Sequence, residues 1–84
     1  LNGDPRTGLA DLTAAIELDG TKYEYRVARG QAQRALGKTD EAMADFSAAI
    51  RSDPAKSEGY NERGITTYRA GKYAEAEGDF ARAI

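Results

Sequence analysis

The sequence contains no cysteine and no histidine among its 84 residues. Without these side chains the chain can form no disulfide bond, no thiolate or imidazole zinc site and no thiol nucleophile, and imidazole cannot act as its acid or base. The carboxylates are spread along the sequence beside lysines and arginines, which is typical of solvated helix faces. We therefore expect a protein that is not an enzyme and that holds no metal ion or cofactor.

A strong excess of one charge and a long apolar run are also missing. The 12 Lys and Arg residues nearly balance the 14 Asp and Glu residues, and the net charge is −2. Nucleic-acid binding usually needs a basic face, and a membrane span needs roughly 20 apolar residues, so we expect no nucleic acid partner and no membrane insertion. No signal-peptide pattern opens the sequence. We expect a soluble chain, and the sequence does not decide between the cytoplasm and the periplasm.

What the sequence does contain is an internal repeat of 34 residues. When residues 1–50 are compared with residues 35–84, 19 of the 50 positions are identical. The identities keep one register along the chain and include turn glycines, aspartates and small residues. The recurring positions include Gly3, Gly37 and Gly71; Asp11, Asp45 and Asp79; Ile16, Ile50 and Ile84; and Arg29-Gly30 with Arg63-Gly64.

Small residues and phenylalanines recur at helical spacing within each repeat. A residue without bulk on one helix lets the backbone of a facing helix approach closely. Phe46 lies one helical turn from Ile50 on a shared face, and Phe80 and Ile84 repeat that pair. We therefore expect these positions to hold the helices of each repeat together. They are Gly30, Ala42 and Phe46 in one repeat and Gly64, Ala76 and Phe80 in the next.

Glycine and proline divide the sequence into helices. Gly37 and Gly71 follow periodic stretches and can adopt a positive φ, which ends a helix. Pro54 stops another helix and favours the start of the next. The pattern predicts five helices, at residues 5–18, 22–36, 39–52, 56–70 and 73–84.

These residues resemble the tetratricopeptide repeat family, whose unit is 34 residues folded as two antiparallel helices. Two departures from the family pattern are Arg26, where a large aromatic is usual, and Arg29 and Arg63, where leucine is usual. The matching residues are Gly30, Gly37, Ala42, Phe46, Ala49 and Pro54 in one unit, and Tyr60, Gly64, Gly71, Tyr73, Ala76, Phe80 and Ala83 in the next.

The resemblance implies an all-α fold, a right-handed superhelical stack of antiparallel helix hairpins. About two and a half repeats cover the chain, as a single repeat fragment. Residues 1–20 are expected to be the second helix of a partial repeat, residues 21–54 a complete repeat and residues 55–84 a nearly complete one.

Arg29 and Arg63 stand beside the close-packing glycines, on a face that should be at least half buried. A buried guanidinium needs a carboxylate partner. Aspartates recur with the same period in the second helices. We expect Arg29 to pair with Asp45 or Asp11, and Arg63 with Asp79 or Asp45; the alternative is that both arginines are solvated.

The family resemblance implies that function lies on the concave surface, which the first helix of each repeat lines. Residues on the face opposite the glycines combine apolar, amide, aromatic and arginine groups, a mixture that suits a bound peptide. In the alternative interpretation, Val27 and Ile65 pack against neighbouring repeats and the rest is solvated surface. The predicted groove residues are Glu24, Val27, Gln31, Arg34, Glu58, Asn61, Ile65, Tyr68 and Arg69.

A clamp for C-terminal carboxylates, known in one subset of the family, is not expected, because only Asn61 matches it and Val27 and Gln31 replace a lysine and an asparagine. The expected partner is therefore a protein or peptide of unknown identity. A second hypothesis is self-association, which would make the chain a homo-oligomer through apolar ends. The end residues are Leu9, Leu12 and Ile16 on one side and Phe80 and Ile84 on the other.

Overall fold

The structure is a computed structural model that describes residues 5–19 and 22–84, and the side chains of these residues from residue 8 onward. The predicted unit 1–20 is thus described only in part, and Gly3, the first glycine of the repeat register, lies outside the described residues. No strand occurs in the part of the chain that is described.

The described residues form five helices, and each predicted boundary is confirmed to within one residue. Such one-residue differences lie within the ordinary uncertainty of helix ends. The helices are α1 (Pro5–Leu18), α2 (Tyr23–Ala35), α3 (Thr39–Ser52), α4 (Ser57–Arg69) and α5 (Tyr73–Ala83).

The helices pack as successive hairpins. Helix α2 packs on α3 and α4 packs on α5, while α1 lies against α2. The two hairpins meet where α4 contacts both α3 and α2. The chain is therefore an all-α solenoid of helical hairpins, in which the described units contact their neighbours along the sequence.

Glycine ends the first helix of each hairpin, as predicted. Gly37 has a φ of +79°, and Gly71 has a φ of +84°. After α2 the Lys38 N–H donates to the Gln33 carbonyl over 2.8 Å, and the Gly37 N–H donates to the Arg34 carbonyl over 3.0 Å. This pair of hydrogen bonds satisfies carbonyls that the helix end would otherwise leave unpaired, and it requires the left-handed glycine.

The core forms between α2 and α3. Ala42, Phe46 and Ala49 are fully buried, and they form one apolar cluster with Tyr23 and Val27. A Cβ atom on Gly30 would overlap the Phe46 ring, so the predicted close approach of α2 and α3 depends on this glycine. Gly64 lies against Phe80 in the same way.

The predicted arginine–aspartate pairs are present, each within one hairpin. The Arg29 Nε and Nη2 atoms donate to the two Asp45 carboxylate oxygens over 2.6 and 2.8 Å. Arg63 donates to Asp79 over 2.9 and 2.8 Å, and also to the Ser47 hydroxyl over 3.1 Å. These hydrogen bonds raise the pKa of both guanidinium groups, and they explain why arginine stands where the family usually has leucine.

Candidate functional site

The first helices of the two hairpins, α2 and α4, contact one another and carry the predicted groove residues. The exposure of these nine side chains differs. Glu24, Glu58, Asn61, Tyr68 and Arg69 are exposed; Gln31, Arg34 and Ile65 are half-buried; and Val27 is buried.

The prediction that Val27 lines a groove is wrong. Its side chain is only 3% exposed, and it belongs to the core cluster with Tyr23 and Phe46. Burial of its apolar side chain in that cluster stabilises the fold and leaves no surface for a ligand to contact. Val27 packs within its own hairpin, against residues of α2 and α3.

Gln31 and Arg34 are engaged by a residue that the sequence did not reveal as important, Glu62 on α4. The Arg34 Nη2 atom lies 2.8 Å from Glu62 Oε1, and the Gln31 amide donates to Glu62 Oε2 over 2.9 Å. Arg34 also donates to the Thr66 hydroxyl over 3.2 Å. The Arg34 and Glu62 side chains are 19% and 13% exposed, so this ion pair is largely shielded from solvent and links the two hairpins.

A second link joins the beginnings of the same two helices. The Gly59 N–H of α4 donates to the Tyr23 hydroxyl over 2.5 Å, and Tyr23 is buried. Burial raises the pKa of the Tyr23 phenol. On the surface above it, Lys56 donates to Glu24 over 2.9 Å, and this hydrogen bond lowers the pKa of Glu24.

Glu24 on α2 and the exposed residues of α4 are the accessible part of the predicted groove. Glu58 and Asn61 border an open cleft of about 560 Å³ that continues to Phe80 and Ile84 of the last hairpin. Tyr68 is 56% exposed, and Arg69 beside it is exposed as well. The surface therefore offers carboxylate, amide, guanidinium and aromatic groups to a partner.

Within residues 5–19 and 22–84, no group of three or more acidic side chains comes together in a way that could hold a metal ion. Over the same residues, none of the helices combines the length and the apolar character needed to cross a membrane.

Comparison with solved structures gives close matches to other helical repeat proteins. The structure titled "Second TPR of Spaghetti (RPAP3) bound to HSP90 peptide SRMEEVD" matches with a TM-score of 0.90 and 28% identity, over 96% of this chain and 75% of that one. Two MamA structures, from MSR-1 and AMB-1, match with TM-scores of 0.80 and 0.79 and 25% identity, over 86% of this chain. This chain spans 41% and 42% of those MamA chains.

Among curated proteins, no sequence matches the chain. The sequence model described as Tetratricopeptide repeat matches it twice, at residues 2–57 and 27–84, and the two matches together span almost the whole chain. The internal 34-residue period, the glycine-terminated hairpins and these matches agree, and the chain belongs to the tetratricopeptide repeat family.

Proposed function

We propose that this chain is a non-catalytic scaffold that binds a protein partner, through a peptide segment laid along the surface of α2 and α4. The observation that carries the proposal is the link between these helices. Glu62 joins Gln31 and Arg34 across the hairpin boundary, so the two helices form one rigid surface before any partner arrives. A preorganised surface loses less conformational entropy on binding.

The side chains left free on this surface suit a peptide. Asn61 and Arg69 can hydrogen-bond to peptide carbonyls, and Tyr68 offers an aromatic contact with few rotatable bonds. The RPAP3 repeat structure, which is 28% identical over 96% of this chain, was solved with a peptide bound. That likeness supports peptide binding as the general function.

The chemistry of the surface argues against a clamp for a C-terminal carboxylate. Val27 is buried and Gln31 is hydrogen-bonded to Glu62, so neither side chain is free to meet a carboxylate. Glu58 adds a negative charge beside Asn61. We propose an internal peptide segment as the ligand.

The test is a selection from a random peptide library, followed by affinity measurement on the selected peptides. The double variant Asn61→Ala/Arg69→Ala is expected to lose at least about tenfold in affinity, because two hydrogen-bonding side chains of the surface are removed. The matched control is Asp40→Ala/Arg51→Ala on α3. Both residues are exposed; Asp40 is similar in size to Asn61, and Arg51 matches Arg69. Equal affinity of the two variants would contradict the assignment of this surface.

Self-association through the ends is the second candidate function. Leu9 and Leu12 of α1 are half-buried and Leu18 is 90% exposed, whereas Ile16 is buried and cannot contribute. Sedimentation velocity across a hundredfold concentration range tests this candidate. A sedimentation coefficient that stays at the monomer value would contradict it.

A further inference from the structure

We propose that the peptide bound along α2 and α4 places an anionic side chain, a carboxylate or a phosphate, in a small cavity between Arg34 and Arg69. The inference rests on the proposed function and deepens it, because it names the chemical class of ligand that one point of the surface selects. We call this site the arginine cavity, and it is lined by Arg34, Thr39, Thr66, Arg69 and Ala70.

The arginine cavity combines two guanidinium groups with two hydroxyl groups. Its volume of about 180 Å³ has room for one small polar group. None of the described residues that line it carries a carboxylate; Asp40 and Glu41, in the first turn of α3, are exposed and lie outside the lining. Guanidinium groups bind carboxylates and phosphates through paired N–H donors. The lining therefore favours a negatively charged group.

Arg34 forms a wall of the cavity that is fixed before a ligand arrives. Its Nη1 atom donates to the Thr66 hydroxyl over 3.2 Å and to the Glu62 carbonyl over 3.3 Å, and its Nη2 atom lies 2.8 Å from Glu62 Oε1. The guanidinium carbon also lies 5.6 Å from the centroid of the Phe46 ring. A side chain held in this way loses little conformational entropy when a ligand binds beside it.

Arg69 supplies the charge that the protein itself does not neutralise. Glu62 offsets the charge of Arg34, whereas the exposed guanidinium of Arg69 has no hydrogen-bond or ion-pair partner among the described residues. Arg34, Arg69 and Glu62 together thus carry one net positive charge. Thr39, the exposed first residue of α3, adds a hydroxyl that can donate to an anion.

The arginine cavity lies at a boundary that the chain itself completes. Arg34 and Thr39 belong to the α2–α3 hairpin, and Arg69 belongs to α4, the helix that packs on that hairpin. Ala35 takes the place of Arg69 one repeat earlier, and Ala35 is exposed although α4 follows it in the stack. A following hairpin therefore leaves the position of Arg69 open to a ligand.

The test uses peptides selected on the native chain from a random peptide library, in which we expect Asp or Glu to be enriched at one position. The peptide that binds most tightly is synthesised in three forms, with Glu, Gln or phosphoserine at that position. Affinities are measured for the native chain, for Arg69→Gln and for the control Arg51→Gln, which removes an exposed arginine of α3.

On the native chain and on Arg51→Gln, the Glu form should bind at least about tenfold more tightly than the Gln form, and the preference should weaken as the salt concentration rises. On Arg69→Gln the two forms should bind equally. The affinity of this variant for the Gln form should fall by no more than about threefold, which shows that it is folded and still binds peptide. Tighter binding of the phosphoserine form than of the Glu form identifies phosphate as the preferred anion, and weaker binding identifies carboxylate.

Two results would overturn the inference and leave the proposed function standing. The first is a set of binding peptides without an enriched acidic residue, or with equal affinity of the Glu and Gln forms for the native chain. The second is a preference for the Glu form that survives Arg69→Gln, because the anion would then bind elsewhere. A selection that yields no binding peptide would remove the proposed function, and the inference with it.

Discussion

At the scale of single residues, two glycines decide how closely the helices of each hairpin approach. Gly30 faces the Phe46 ring, and Gly64 faces the Phe80 ring. A Cβ atom added to Gly64 would lie 2.6 Å from the nearest carbon of the Phe80 ring. The surroundings of the two rings differ, because Phe46 is fully buried and Phe80 is half-buried. The same substitution should therefore have unequal effects.

We expect Gly30→Ala to lower the free energy of unfolding by about 1–3 kcal/mol, because the Phe46 ring has no space into which it can move. Gly64→Ala should cost less, since the Phe80 ring can shift toward solvent. Urea denaturation of both variants measures the difference.

Gly78→Ala is the control for these two variants. Gly78 lies within α5, and an added Cβ atom would meet nothing within 4 Å. Alanine favours a helix interior over glycine by roughly 0.5–1 kcal/mol, so this variant should be stabilised. Equal destabilisation by Gly30→Ala and Gly64→Ala would show that ring mobility has no role.

At the scale of helices, α2 and α4 are joined at one end by Tyr23 and Gly59 and further along by Arg34 and Glu62. Neither link follows from the repeat pattern. Ser57 takes the place of Tyr23 one repeat later, and Ala28 takes the place of Glu62 one repeat earlier. The links are individual features of this hairpin boundary.

The Tyr23 link predicts a particular dependence of stability on pH. Burial raises the pKa of the folded phenol above its usual value of 10.0, so above about pH 10 the unfolded chain releases this proton more readily than the folded chain. Stability from the neutral phenol is thus present below pH 10 and is lost as the pH rises through the folded pKa. Tyr23→Phe should lower stability by about 1–2 kcal/mol at pH 7, because the buried Gly59 N–H loses its acceptor.

The measurement is the free energy of unfolding of both proteins between pH 7 and pH 11. The two curves should converge above pH 10. The Glu24 hydrogen bond raises the pKa of Lys56, and the Lys56 Nζ atom lies 4.8 Å from the centroid of the Tyr23 ring. Both proteins are therefore compared in a Lys56→Ala background. Parallel curves would contradict a role for the Tyr23 proton.

Sequence reasoning succeeded where a property repeats and failed where it does not. The turn glycines recur with the 34-residue period, and so does the pairing of an arginine with an aspartate, as in Arg29 and Asp45. The period therefore predicted both the helix ends and the ion pairs. Val27 was misplaced because the period does not encode which face of α2 turns toward α3 within the hairpin, and Glu62 was missed because it has no counterpart one repeat earlier.

At the scale of the whole molecule, the contacts among residues 5–19 and 22–84 run between consecutive units. The α2–α3 hairpin is covered by α1 on one side and by α4 on the other, and it holds the fully buried residues Ala42, Phe46 and Ala49. In such linear arrays, stability is approximately a sum of unit and neighbour terms. The central hairpin should therefore be the most stable part.

Hydrogen exchange followed by mass spectrometry tests this distribution. Amides of α2 and α3 should exchange at least about tenfold more slowly than those of α1 and α5, because the outer helices can open while the central hairpin stays folded. Identical protection of all five helices would mean that the molecule opens only as a whole.

The link between Arg34 and Glu62 also limits how arrays could be engineered from this sequence. If residues 21–54 were duplicated in tandem, Arg34 of the first copy would meet Ala28 of the second in place of Glu62. Its guanidinium would then lie half-buried without its carboxylate. A longer array built from this chain should therefore be extended by copying the two hairpins together as one ordered cassette, with Arg34 always followed by Glu62.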